Sequence, residues 1–291
     1  MPTPFTRRHF IRAIATLGVG SAARTRAQVL EPPPSPPPLQ LTVDRYDWGL
    51  ASLGDIAAVV RSAGEQIWQH CSRSQLDLIR IYHRRDFPVT DILRDWKNRI
   101  SIGLASKDAR WSQFAFQFGH EFCHALTQHS GIGKHGWHNL RHANMWFEES
   151  LCETGSLFAL RRMSEAWRTA PPLPQWRSYA PAFSSYAAAR LALPQHRLPT
   201  GVPFPAWFRQ NEPALRACPT LRENNTIIAS QMLPILEENP SGWDALPFLN
   251  LGARDFKKSF ARHLTEWEQI VPTEQRPFVS KIAAVFAVSP S

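Results

Sequence analysis

The chain has 291 residues, 43% of them apolar and 20% charged, so a substantial core can form and wholesale disorder is excluded. The formal charge of +9 invites a nucleic-acid reading. However, residues 1–27 hold five arginines (Arg7, Arg8, Arg12, Arg24, Arg26) and no acid, the remainder carries only +4, and no RNA- or DNA-binding motif accompanies it. Eleven tryptophans and seventeen phenylalanines predict a core rich in large rings, and twenty-five prolines predict many capped or broken elements.

In chain order, a basic start is followed by the weakly apolar run Ala13 to Ala23 and by Thr25-Arg26-Ala27, with small residues at both cleavage positions, the pattern of a signal peptide over residues 1–27. Thr6-Arg7-Arg8-His9-Phe10-Ile11 resembles the twin-arginine export signal, S/T-R-R-x-F-L/I. That resemblance implies a bacterial protein that folds before export to the periplasm or the medium. The apolar run of 11 residues is too short to span a bilayer and none like it follows, so no stable membrane insertion is expected after cleavage. Residues 28–40, with Pro32-Pro33-Pro34-Ser35-Pro36-Pro37-Pro38, are expected to be an extended spacer acting as a passive tether.

Folded structure is expected from residue 41. Ile56, Val59, Val60, Ala63 and Ile67 recur at helical spacing within Leu53 to Cys71. Asp77 to His83 and Arg99 to Ala105 read as strands. Trp111 to His129 reads as a helix stopped by Gly131, and Met145 to Met163 as another after a His- and Gly-rich loop. From Pro171 to Pro219 the prolines predict short helices and irregular chain. Helical patterns return from Leu221, including Ala253 to Ile270 and Pro277 to Ala287. The order implies an α+β fold: a core over residues 41–166 with a small sheet, then an α-rich C-terminal subdomain over 167–291.

His120-Glu121-Phe122-Cys123-His124 is an H-E-x-x-H sequence in the middle of a predicted helix. Positions i and i+4 put both imidazoles on one face, a turn apart, where they can bind one ion. Glu121 lies beside them, able to act as general base towards water at that ion. Phe114, Phe118, Phe122 and Leu126 supply the apolar stripe that would bury the helix. A catalytic zinc needs a third protein ligand and an open position, and the ligand should come from a second helix packed on the first.

Trp146-Phe147-Glu148-Glu149-Ser150-Leu151-Cys152-Glu153 resembles the segment that follows H-E-x-x-H in the gluzincin superfamily of zinc peptidases, the thermolysin and aminopeptidase type. The resemblance covers roughly residues 99–160. It implies a zincin-like core with two metal-bearing helices, Zn2+ held by His120, His124 and Glu149, Glu121 as catalytic base, and Glu153 holding a ligand histidine from behind. Helix geometry agrees: Glu148 and Glu149 point about 100° apart, and the carboxylate one turn beyond Glu149 is Glu153. Glu148 is then expected to touch only packing or substrate. The glutamate with which related aminopeptidases hold a substrate amine has no counterpart, since residues 67–119 contain no glutamate. The expected substrate is therefore a peptide or protein, cleaved by something other than a typical aminopeptidase.

Supporting roles stay open at this point. Arg99 to Ser106 lies where zincins place an edge strand that pairs with extended substrate. Tyr179 and Tyr186 are candidates for the oxyanion donor, with His196 and His263 behind them. His129, His135, His138 and His142 form either a polar loop or a second metal site. Cys123 and Cys152 could bridge after export or be small buried residues; Cys71 and Cys218 complete the set. Two rivals share the site: a zinc-bearing scaffold that binds peptides without turnover, and a hydrolase of a non-peptide amide.

Overall fold

Three parallel strands and one short antiparallel strand form a mixed sheet in the order β1-β2-β4-β3. The strands are β1 (Leu41–Val43), β2 (Ile79–His83), β3 (Val89–Thr90) and β4 (Ile100–Leu104). The computed structural model describes residues 36–132, 142–252 and 255–288. The expected signal segment and the first part of the proline spacer lie outside these residues, as do His135 and His138. Within the described residues no helix is long and apolar enough to cross a membrane.

Helix α1 (Leu53–Trp68) links the parallel neighbours β1 and β2. Ser52 caps it, its hydroxyl accepting from the Asp55 N–H at 3.0 Å, and Ile56, Val59, Val60, Ala63 and Ile67 are all buried. The end of the proline segment is held against this helix: the Trp68 indole donates to the Pro37 carbonyl at 2.6 Å, and Arg61 donates to the Leu39 carbonyl. This corrects the passive tether for residues 37–39.

Both expected strands are present, but the expected edge is not where the edge lies. All five residues of β4 are buried between β2 and β3. The antiparallel β3, only two residues long, is the outer strand beside the second helix.

Helix α2 (Trp111–His129) runs between the expected bounds and ends before Gly131, whose φ of +73° suits glycine. Helix α3 (Met145–Thr169) outruns its expected end at Met163. Nothing breaks it before Pro171, and Trp167 near its end is buried with its indole on the Ser62 hydroxyl at 2.7 Å.

Helices α2 and α3 cross closely at two glycines. A Cβ on Gly155 would stand 2.4 Å from Cys123 Sγ and 3.4 Å from the Gly119 carbonyl. Residues early on α2 meet residues late on α3, so the two run antiparallel.

The proline-rich stretch holds more regular helix than expected, because Pro174, Pro181, Pro194 and Pro205 fall in first turns, and Pro213 is accommodated inside a helix. It contains α4 (Ala180–Ala192) and α5 (Phe204–Ala217), with 3-10 turns at Pro174–Tyr179 and Pro194–His196. Helix α6 (Arg222–Glu238), a 3-10 segment (Pro240–Phe248), α7 (Phe260–Ile270) and α8 (Arg276–Val285) follow. The chain is thus α-rich with a small mixed sheet. Residues 34–291 form one unit, and the expected division at residue 166 falls inside α3, on which α4 and α6 pack directly.

The start of α3 is pinned by rings from the C-terminal half: Trp146 lies 5.2 Å from Phe208 and 4.7 Å from Phe260, and Phe147 lies 5.8 Å from Trp267, centroid to centroid. These contacts set the rotation of the turn that carries Glu148 and Glu149.

Candidate metal centre

His120 and His124 present their rings on one face of α2 with centroids 5.1 Å apart. Both turn Nε2 towards Glu149 on α3. His120 Nε2 is 3.3 Å from Oε2 of that carboxylate, and His124 Nε2 is 3.6 Å from Oε1.

The opposite nitrogens face other carboxylates. His124 Nδ1 bonds Glu148 Oε1 at 2.7 Å. His120 Nδ1 stands 3.8 Å from Glu153 Oε2, an ion-pair distance rather than a hydrogen bond. The side chains of His120, His124 and Glu149 keep 13–19% of their exposure, against 10% for Glu148 and 4% for Glu153. The face shared by the two Nε2 atoms and Glu149 is therefore the one nearest solvent.

Each rear carboxylate is itself held. Glu148 also accepts from the Thr127 hydroxyl at 2.7 Å and from the Asn250 amide. Glu153 accepts from Arg190 at 3.0 Å and from the Thr226 hydroxyl at 2.9 Å. The Arg190 guanidinium lies 4.1 Å over the Phe116 ring, one turn before His120.

Burial opposes a charge on Glu149 and on His124, yet each favours the ionised form of the other. Against burial, His124 and His120 keep the Glu149 carboxyl well below the usual carboxylate range. Burial also opposes a charge on His124, but Glu149 and Glu148 outweigh it and hold its pKa well above the ordinary imidazole value.

His120, His124 and Cys152 also bring one ligand atom each within 4.8 Å of one another, a group that could hold a metal ion. Cys152 lies one turn beyond Glu148, fully buried, and burial together with neighbouring Cys123 pushes its thiol pKa well above the ordinary value. Glu149 offers one oxygen to each imidazole.

Glu121 is 4% exposed. Thr90 on β3 faces it, with its hydroxyl 3.0 Å from Glu121 Oε2 and 2.7 Å from the Glu121 carbonyl. The general-base candidate is thus tied to the edge strand.

No family model, curated protein or solved structure matches the chain.

The other expected site residues separate. The Tyr179 hydroxyl is engaged by Ser112, 3.3 Å from its N–H and 3.2 Å from its hydroxyl, at the first turn of α2. Ser112 is eight residues before His120, about 12 Å along the helix, so Tyr179 stabilises a helix end instead of facing the imidazoles. Tyr186 lies against Phe116 at 5.9 Å and one turn from Arg190 on α4, which leaves it on the His120 side.

His196 is buried and donates from Nδ1 to the Arg190 carbonyl at 2.7 Å, capping α4. His263 is buried and stacks on His142 at 5.2 Å. His129 donates to the Asp91 carbonyl at 3.0 Å, so the described loop histidines do not converge on a second metal site. All four cysteines are free thiols, with Cys71, Cys123 and Cys152 buried and Cys218 exposed.

The residues that sequence reasoning missed are Glu148, Thr127, Thr90, Arg190 and Asn250. Glu148 is the main correction: it is not a packing or substrate residue but the partner of His124. Two imidazoles a turn apart give both Glu148 and Glu149 a role. The sign available in the sequence is that two histidines offered to one ion call for two rear acceptors, of which Glu153 is one.

Proposed function

We propose that this chain is a zinc-dependent peptidase of the gluzincin type. The observation that carries the proposal is the convergence of two Nε2 atoms on the two oxygens of Glu149, at 3.3 and 3.6 Å. Ligands about 2.05 Å from a tetrahedral ion stand about 3.3 Å apart, close to the separation of each imidazole from its oxygen of Glu149. The buried acids point the same way: Glu148, Glu149 and Glu153 surround the rings with one guanidinium, Arg190, among them, a balance that favours a bound cation.

A zinc ion held by His120, His124 and Glu149 would supply the Lewis acidity that polarises an amide carbonyl and acidifies water. Glu121 takes the proton of the attacking water at Oε1, the oxygen that Thr90 does not engage, and passes it to the leaving amine. Thr90 holds the other oxygen and keeps the carboxylate from rotating. Tyr186 is the remaining tyrosine for the developing oxyanion. The outer edge of β3 offers backbone groups to an extended peptide. The basic start with Arg7 and Arg8 supports export by the twin-arginine route to the periplasm or the medium.

The test is Glu121→Gln, assayed for bound zinc and for hydrolysis of a denatured protein substrate. Zinc should remain at one equivalent and hydrolysis should vanish. Full activity in the variant would refute the mechanism.

The second reading, a zinc-bearing scaffold without turnover, is favoured by Cys152, which could close the site as a fourth ligand. X-ray absorption of the zinc form separates the two, since a sulfur in the shell indicates the closed site.

A further inference from the structure

A line of buried polar groups leads away from the metal centre into the C-terminal half. Asn144, just before α3, donates its backbone N–H to His142 Nδ1 at 3.2 Å. That makes Nδ1 an acceptor and leaves the ring proton on Nε2, which donates to Asn250 Oδ1 at 3.1 Å. The amide of Asn250 is thereby oriented: its Nδ2 is left to donate to Glu148 Oε2. The reverse orientation would set Oδ1 against a carboxylate. Glu148 Oε1 receives His124 and Thr127, so Oε2 depends on Asn250. The His142 ring is in turn stacked on His263 of α7, 5.2 Å between centroids and 29° between planes. Asn250 and His142 are each 9% exposed and His263 is 4% exposed, so water cannot readily replace these contacts.

We propose that Asn250, oriented by His142, is a positioning residue for the metal centre. It fixes the carboxylate of Glu148, which fixes the ring of His124, so metal affinity depends on a residue 102 positions from Glu148 in the chain. The proposal rests on the metal reading above. The physical reason is that a ligand histidine binds well only when its second nitrogen is held, and the holder must itself be held.

The experiment uses the full chain, with zinc dissociation constants from chelator competition, the visible spectrum of the cobalt(II) form, and melting of the metal-free protein. The variants are Asn250→Ala, Asn250→Asp, Glu148→Ala and the Asn250→Ala/Glu148→Ala pair. Asn250→Ala should weaken zinc binding about 10-fold, the lower end of the range for groups behind a ligand histidine, and should alter the cobalt spectrum. Asn250→Asp keeps the side-chain shape and sets an oxygen against Glu148, so it should weaken zinc at least as much even if the alanine variant folds poorly. The pair should bind zinc no more weakly than Glu148→Ala alone, because Asn250 acts through Glu148. Wild-type affinity in both single Asn250 variants, a fall in melting temperature without a change in affinity, or multiplied effects in the pair would each overturn the proposal while leaving the metal centre standing. A wild-type chain that binds neither metal overturns the metal reading and this inference with it.

Discussion

Glu148→Ala removes the acceptor of His124 and leaves three donors, His124 Nδ1, the Thr127 hydroxyl and the Asn250 amide, facing a buried gap. A charge-assisted hydrogen bond is worth about 1.5–3 kcal/mol, which corresponds to about 10- to 100-fold in zinc affinity. The bond to His124 is short, 2.7 Å, and its carboxylate is nearly sealed from solvent, so the upper part of that range applies.

Glu153→Ala should cost less, about 10-fold. Its oxygen is 3.8 Å from His120, and its other contacts to Arg190 and Thr226 serve the packing of α4 and α6. Glu149→Ala should leave almost no zinc. Chelator competition at fixed pH orders the three variants, with circular dichroism to show that each folds. If Glu148→Ala binds zinc like the wild type while Glu153→Ala loses it, the assignment of the rear carboxylates is wrong. The turn of α3 about its axis would then differ as well.

Other predictions follow from the same geometry. Burial holds the His263 pKa well below the ordinary 6.5, with His142 and Lys258 adding to it. The unfolded chain therefore takes up a proton below about pH 6.5 that the folded chain does not, and this group costs about 1.4 kcal/mol of stability per pH unit as pH falls. His263→Phe keeps a ring against Phe147 and should flatten the acid side of the stability profile; an unchanged slope in denaturant titrations at pH 5 to 7 would count against it. Gly155→Ala drives a methyl to 2.4 Å from Cys123 Sγ and should separate α2 from α3. A loss of about 1–3 kcal/mol in chemical denaturation, accompanied by weaker zinc binding, is expected.

The local periodicity of the chain settled a good deal. The face of α1, the bounds of α2 and the side-by-side placement of His120 and His124 all follow from residues within a few turns of one another, and each is found as expected. Strands β2 and β4 were legible for the same reason. The two-residue β3 was not, because two residues carry no period, and its place at the sheet edge exists only by pairing with β4. The tertiary structure decided which acid serves which histidine. Glu148 and Glu149 are neighbours in the chain, and the one-turn spacing to Glu153 singles out Glu149 but gives Glu148 no partner. Their roles depend on how far α3 is turned about its axis, and that rotation is set by the crossing at Gly119 and Gly155 and by rings such as Phe208, Phe260 and Trp267. Asn250 and Tyr179 illustrate the same division. One reaches the carboxylate that holds His124 and the other turns away to Ser112, because helix packing brings distant residues together by distance and angle, which neighbouring residues in the chain do not encode.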